Sequence, residues 1–449
     1  MNKPVCLLQG PVFNRSGYGD WATTIAKSLI RYDKFDLKIV PTRWGNCQTK
    51  RFIEDLNSNE DKLLFSKFLQ NGLDKQPDLY IQVTIPNEFQ RLGKFNIGMT
   101  AGIETTLCPG PWIEGVNRMD LTIGLSNHVK KVFQETKYKK KHENGKEEVI
   151  EITKPIEVCF WGADTNIFKK TDIIESSINK TLEKIKENAA FLFVGQWTHP
   201  GLYNDRKDIG NLIKTFCHAF KNFDNGNKPC LILKSSGANY SVVDRFELLE
   251  RINKIRYEVC DNPPNVYLLH GELNEIEMNS LLNHPKVISH VSFTHGEGYG
   301  HPLLLATLSG KPLLAPNWSG HLDYLNPQNA NLLPGTLIDV DKKSTNDWII
   351  KESKWFKVSY SLAEDKLKYI YQNRNNEKVV QKAEYLRAEN AEKFSLTAMD
   401  KKLWSILEKN MPVFAVENKF VLPKLKALST SNDISNLQST KLNLPRLKM

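Results

Sequence analysis

Short apolar runs alternate along this chain with segments whose apolar residues recur every three or four positions. The run VCLLQG (5–10) reads as a buried strand. It is followed by a glycine-bearing loop, PVFNRSGYGD, and then by a segment in which Trp21, Ile25 and Leu29, flanked by Ala22 and Ala26, fall on one helical face. The same strand, loop and helix rhythm returns at FDLKIVPT, DLYIQVTIP, FNIGMTAGIE, LTIGLSNHVKKVF and IEVCFWG. A polar helix-forming stretch, TDIIESSINKTLEKIKENAA, interrupts it. A second series then begins at FLFVGQW and continues through PCLILKSS, NVYLLHG, VISHVSF and PLLAPN. Alternating strands and helices predict parallel, doubly wound α/β sheets, and two series joined by one linker predict two Rossmann-like domains facing across a cleft.

At 449 residues the chain is too long for one ordinary core, which agrees with two domains. The expected division is an N-terminal domain over 1–168, a linker over 169–188 and a second domain over 189–385. A C-terminal helix over 386–410 would return toward the first domain, leaving a basic tail over 411–449. That tail carries LPKLKAL and LPRLKM, a short basic-apolar unit used twice. The insertion ETKYKKKHENGKEEVIEITKP centres on Asn144-Gly145, a hairpin turn signal. It is either a solvated surface hairpin or a grip for an anionic acceptor.

Seven scattered cysteines without a Cys-x-x-Cys pair favour reduced thiols over a disulfide framework or a zinc site. No apolar run approaches the roughly 20 residues of a membrane span, and MNKPVCLLQGPVF lacks a signal-peptide layout. A cytoplasmic protein is therefore expected. The formal net charge of +10 draws polyanions in general without selecting one.

The richest stretch chemically is FTHGEGYGHPLLLATLSGKPLLAPNWSGHLDYL (293–325). Gly296, Gly298 and Gly300 permit tight backbone geometry around a single carboxylate, Glu297. Pro302 suits the first turn of a short helix that Gly310 ends, so free N–H groups should gather beside Glu297. Such a turn is suited to bind hydroxyls and phosphate, although glycine-rich crossovers also occur for purely structural reasons. Glu104, at the end of an N-terminal-domain strand, would either orient an acceptor hydroxyl or serve as a cap. His128, His295, His301 and His321 lack the short spacing of metal ligands. No Gly-x-x-x-x-Gly-Lys-Ser/Thr loop and no Gly-x-Gly-x-x-Gly after the first strand is present. These gaps argue against an NTPase and a dinucleotide oxidoreductase.

HGEGYGHPLLLATLSGKPLLAPNWSGHLDYL resembles the donor-binding signature of retaining GT-B-fold glycosyltransferases of the glycogen-synthase and sucrose-synthase-like group: Glu-Gly-Phe/Tyr-Gly-x-Pro, a short helix, Gly-x-Pro, a strand and a glycine loop. IGMTAGIETTLCPGPWIEGVNRMDLTIGLSNHVKKVF, VCFWGADTNIFKK and FLFVGQW…NDRKDIGNLIKTF are similar to further segments of the group, so the resemblance spans most of the chain. It implies a nucleotide-sugar transferase that retains anomeric configuration, moves a hexose or pentose, needs no metal or other cofactor, and takes a donor such as a UDP-sugar. Carried over by position, Glu297 would contact sugar hydroxyls, and Gly298, Tyr299 and Gly300 would lie against sugar and diphosphate. Arg206 and Lys207 would neutralise the departing diphosphate with Lys234 assisting, and Gly17 and Gly19 would close over the phosphates.

Two positions depart from the pattern: Leu305 stands where a second, ribose-holding glutamate is usual, and Gln196 where an arginine is usual. The wording of HGEGYGHP…NWSGH resembles phage-encoded members. That suggests a hydroxymethylated pyrimidine in double-stranded DNA as acceptor, in host cytoplasm, ahead of a glycan or lipid-linked saccharide at an anionic membrane. A sugar-nucleotide-binding protein without turnover is the reading from another class.

Overall fold

The computed structural model describes residues 3–45, 47, 58–141, 145–199, 204–224, 226, 228–237 and 240–414. The tail beyond residue 414 and the centre of the 142–144 turn lie outside the described residues. The strands are β1 (Val5–Gly10), β2 (Asp36–Pro41), β3 (Leu79–Val83), β4 (Phe95–Thr100), β5 (Leu121–Gly124), β6 (Tyr138–Lys141), β7 (Glu147–Ile150) and β8 (Ile156–Val158). They continue with β9 (Ala190–Val194), β10 (Cys230–Lys234), β11 (Val266–Leu269), β12 (Val287–Val291), β13 (Leu313–Pro316), β14 (Asn331–Leu333), β15 (Gly335–Asp339) and β16 (Lys354–Val358). The α-helices are α1 (Gly17–Tyr32), α2 (Asn59–Phe65), α3 (Gly110–Arg118), α4 (Asn127–Glu135), α5 (Ser176–Leu182) and α6 (Ile209–Phe220). They are followed by α7 (Val242–Val259), α8 (Glu275–Asn283), α9 (His301–Thr307), α10 (Tyr360–Gln372), α11 (Glu377–Lys393) and α12 (Leu396–Asn410).

Two six-stranded sheets carry the fold, ordered β2-β1-β3-β4-β5-β8 and β11-β10-β9-β12-β13-β14, with every neighbouring pair parallel. Parallel strands buried on both faces read as near-continuous apolar runs, and in β3 Leu79, Tyr80, Ile81 and Val83 are buried with one polar residue, Gln82, among them. The expected α1 face is realised: Trp21, Ala22, Ile25, Ala26 and Leu29 are all buried against the first sheet. Ser16 caps α1 by accepting from the Gly19 N–H. This is the GT-B architecture.

Both sheets have a point where the strand order reverses, between β1 and β3 in the first and between β9 and β12 in the second. Loops leaving the two central strands there diverge to opposite faces, and the gap at their carboxyl ends admits a ligand. The chain finally returns to the first sheet. Asp400 on α12 accepts from Arg31 Nε at 2.7 Å, and Trp404 stacks on Tyr32 with ring centres 5.4 Å apart.

Candidate functional site: a carboxylate and two cations between the sheets

The reversal point of the second sheet brings together residues far apart in sequence. The segment from β9 to α6 supplies Arg206 and Lys207, and the loop leaving β12 supplies Glu297. Lys207 Nζ pairs with Glu297 Oε1, and Arg206 Nη1 lies 3.4 Å from Oε2 while also donating to the Gly296 carbonyl at 2.8 Å. The Arg206 carbonyl is held in turn by the His295 N–H at 2.7 Å. Glu297 is only 7% exposed. Burial pushes its carboxyl up, but the charges of Lys207 and Arg206 outweigh burial and hold it at about 2. At neutral pH it is an ionised acceptor-only group, the form that receives hydrogen bonds from hydroxyls. Lys207 is drawn below the ordinary lysine value by burial, and the facing carboxylate opposes that shift.

The backbone of this loop is fixed from both sides. The Glu297 N–H donates to Ser319 Oγ at 3.0 Å, and the Gly320 N–H donates to the Glu297 carbonyl at 2.9 Å. Ser126 Oγ, from the first sheet's side, donates to the Gly298 carbonyl at 2.5 Å, and Tyr324 Oη donates to the Gly300 carbonyl at 2.5 Å. The carbonyls of Gly298, Tyr299 and Gly300 are thus occupied, whereas their N–H groups find no acceptor among the described residues. Three free donors beside a lysine–arginine pair form an anion-receptive edge.

Glu104 reaches the same cluster from the loop after β4. Its Oε1 lies 3.7 Å from Arg206 Nε, and burial raises its pKa against the opposing pull of Arg206. The glycines of the Glu297 loop are explained by this approach. A Cβ at Gly296 would lie 1.9 Å from the Glu104 carbonyl oxygen, and one at Gly298 2.3 Å from that of Ala101. Both glycines let the two sheets' loops touch.

Other expected residues sit elsewhere. Lys234 is buried, donates to the Gly271 carbonyl at 2.6 Å and lies over the Tyr240 ring; it makes no contact with the Arg206–Lys207–Glu297 group. Gly17 and Gly19 lie in the first turn of α1. Gly17 faces open space, whereas a Cβ on Gly19 would strike the Asn14 carbonyl, so Gly19 serves packing of its own loop. Leu305 is half-buried on α9 and packs against the main core. Gln196 is exposed.

Each of the four histidines has a ring contact or a hydrogen bond, while the Nε2 atoms of His128, His295 and His301 are buried without a hydrogen-bond partner. His295 shares a hydrogen bond with the Phe356 carbonyl and stacks on Trp355, and His321 bonds the Pro316 carbonyl at 2.7 Å. His301 stacks flat on Trp161 at 3.7 Å, and His128 meets Trp318 edge-on. No group of three or more His, Cys, Asp or Glu side chains among the described residues is placed to hold a metal ion. The lysine-rich hairpin of β6 and β7 sets Lys140 opposite Glu148 and Lys141 opposite Glu147, a charge-paired ribbon rather than a cationic arm.

Several contributors escaped the sequence reading. Asp208 caps α6 from a left-handed conformation, and its buried carboxylate accepts from Asn211 and Tyr360. Ser319 is also left-handed, at φ 83°, and that geometry places its hydroxyl against the Glu297 N–H. An uncommon positive φ on Asp or Ser is invisible in sequence. Arg15, beside α1, pairs with Glu272 of the loop after β11, a second ionic link between the sheets' loops.

No protein-family model matches the chain, and no curated protein matches it. Solved structures do share the fold. HepE from Anabaena, in complex with UDP and glucose, is 13% identical with a TM-score of 0.56, the match covering 90% of this chain and 100% of that one. A glycosyltransferase from Rickettsia africae is 13% identical with a TM-score of 0.57, covering 91% and 99%. Sucrose-phosphate synthase from Thermosynechococcus elongatus is 10% identical with a TM-score of 0.58, again covering 91% and 99%. At these identities the likeness is one of fold, and it extends over both sheets.

Proposed function

We propose that this protein is a glycosyltransferase that moves a hexose from a UDP-sugar to an acceptor hydroxyl with retention of configuration. The observation that carries the reading is the buried, ionised Glu297 held by Lys207 and Arg206 at the reversal point of the second sheet. A carboxylate flanked by two cations and free backbone N–H groups suits a ligand that is hydroxylated at one end and doubly anionic at the other. The presence of UDP and UDP-glucose in the HepE structures supports the choice of donor. Retention follows from the sequence resemblance.

In the proposed reaction Glu297 accepts hydrogen bonds from the donor's sugar hydroxyls. The acceptor oxygen bonds to the anomeric carbon as the bond from that carbon to the diphosphate breaks. The electron pair stays on the diphosphate, where Arg206, Lys207 and the N–H groups of Gly298–Gly300 stabilise it, and the acceptor proton passes to a diphosphate oxygen. Preorganised cations count most where charge develops, because they need no rearrangement at that moment. This neutralisation uses side chains already in place, so the proposal includes no metal. Glu104 orients the acceptor from the first sheet, and the ribose is held without a carboxylate at position 305.

The net charge of +10 supports DNA as acceptor, but the charge-paired hairpin adds nothing to it. We place a saccharide ahead of hydroxymethylated DNA. Release of nucleoside diphosphate is the test, with UDP-, ADP- and GDP-sugars offered with and without saccharides or hydroxymethylated DNA. Absence of binding and release with every donor would sink the reading.

A further inference from the structure

One edge of β16 pairs with β15, setting Trp355 opposite Ile338. The other edge meets two loops from opposite sides of the site. Strand residues two apart turn their N–H and C=O to the same edge, and Lys354 and Phe356 do so here. The Lys354 N–H donates to Thr106 Oγ1 at 2.9 Å, and the Lys354 carbonyl accepts from the Thr106 N–H at 2.9 Å. The Phe356 N–H donates to the His295 carbonyl at 2.9 Å, and the Phe356 carbonyl accepts from His295 Nδ1 at 2.6 Å. A carbonyl cannot donate, so Nδ1 carries the proton of that bond. Each strand residue thus closes a ring of two hydrogen bonds with a single partner.

The two partners sit symmetrically about the site. Thr106 comes two residues after Glu104 in the loop that follows β4, and His295 two residues before Glu297 in the loop that follows β12. A strand advances about 3.3 Å per residue, so the two pairings lie about 7 Å apart along β16. A short strand therefore spaces the loop that carries Glu104 from the loop that carries Glu297. His295 passes this spacing on, because its N–H donates to the Arg206 carbonyl at 2.7 Å. The strand is itself anchored. Buried Trp355 stacks on the His295 ring with centres 4.4 Å apart and packs with Ile338, Val340 and Ile349. A strand edge has to be covered by something, but here the cover consists of the two loops that bring the site's carboxylates together.

We infer that β16 is a positioning strand, that Thr106 and His295 are the positioning residues through which it acts, and that it sets how closely Glu104 approaches Arg206 and Glu297. The inference rests on the glycosyltransferase reading for its consequence, and on the hydrogen bonds alone for its geometry. A displacement of about 1 Å away from the reacting atoms costs on the order of a hundredfold in rate, so spacing of this kind matters to turnover. The two pairings join different things. Thr106 with Lys354 links a loop of the first sheet to a strand on the second sheet's side, so its loss acts on the approach of Glu104 and leaves the cations in place. His295 with Phe356 joins two segments on the second sheet's side, and its loss acts first on Arg206.

The experiment uses the full chain and three variants. Thr106→Val keeps the shape and removes the hydroxyl acceptor. His295→Phe keeps a ring on Trp355 and removes the Nδ1 donor, whereas His295→Asn restores a donor near the Nδ1 position. The readouts are hydrogen exchange at the Lys354 and Phe356 amides, UDP affinity by calorimetry, and kcat and KM for UDP release from UDP-glucose with maltose present. Thr106→Val should speed exchange at Lys354 and lower kcat about twofold to tenfold, with UDP affinity and KM unchanged. His295→Phe should weaken UDP binding and lower kcat, each by about twofold to tenfold, and His295→Asn should return both to within about twofold of wild type. Variants that lower the Tm but leave UDP affinity, KM and kcat unchanged overturn the inference. So does His295→Asn as impaired as His295→Phe, because the bond to Phe356 is then not what counts. Slow exchange at both amides, sped at Lys354 by Thr106→Val, in a protein that neither binds nor cleaves UDP-, ADP- or GDP-sugars would refute the glycosyltransferase reading while sustaining the geometry. Nucleotide-sugar cleavage with both amides exchanging freely would do the reverse.

Discussion

Glu104, from the first sheet, and Arg206, from the second, meet with Oε1 and Nε 3.7 Å apart, and Arg206 continues the contact to Gly296 and Glu297. One guanidinium therefore ties a carboxylate from the first sheet's loops to one from the second's. Replacing Glu104 with Gln keeps the shape and removes the charge. Transfer to an acceptor should then fall by more than hydrolysis of the UDP-sugar does, on the order of tenfold more, measured as the ratio of the two rates. Equal losses in both would assign Glu104 to donor binding instead.

Lys207→Met should weaken UDP binding by roughly ten- to a hundredfold, because the variant leaves Glu297 with one cation and returns net negative charge to the site. Titration calorimetry with UDP checks this. Unchanged affinity would place the diphosphate elsewhere.

Gly298→Ala should impair catalysis through geometry rather than chemistry. Its Cβ would lie 2.3 Å from the Ala101 carbonyl, so the Glu297 loop and the loop after β4 must separate. The expected result is loss of transfer with little change in the cooperativity of unfolding. Full activity would show that the close approach is dispensable.

Acid should destabilise the protein in two windows. Burial, before any charge effect, lowers His128 and His295 to about 4 and His290 and His301 to about 3. Each therefore binds its proton more readily in the unfolded chain, so stability falls as pH drops from about 6.5 toward those values. At pH 5.5 each contributes about 1 kcal/mol of loss. Glu297, held at about 2, is lowered in the opposite chemical sense: its stabilisation is present above about 4.5 and is lost as pH falls through 2. Thermal denaturation from pH 7 to 5 should show a falling Tm, and His301→Phe, which keeps the stack on Trp161, should flatten the slope. A Tm independent of pH in that range would contradict the burial argument.

What the sequence made legible followed from local rules. Apolar runs of strand length marked β1, β9 and β12, and helical spacing marked α1, since period alone decides which faces are buried. Glu297, Arg206 and Lys207 could be nominated by motif, but their mutual pairing depends on β12 lying beside β9, a non-local choice of strand order. The glycines at 296 and 298 suggested a ligand, whereas their crowding comes from the opposite loop's carbonyls. The left-handed Asp208 and Ser319, and the Arg15–Glu272 link, arise from tertiary constraint and leave no local signature. The pairing of β16 with Thr106 and His295 was equally hidden, because it joins loops that follow strands of two different sheets.

The most direct measurement is UDP release from UDP-glucose by the full chain and by Glu297→Gln, with and without a saccharide acceptor. The account predicts UDP release by the unaltered protein that the acceptor accelerates. In Glu297→Gln, which keeps volume but loses the charge that anchors Lys207 and receives the sugar hydroxyls, turnover should fall by about a hundredfold. Equal turnover in the two proteins would contradict the role given to Glu297, and no release or binding of any nucleotide sugar would contradict the account as a whole.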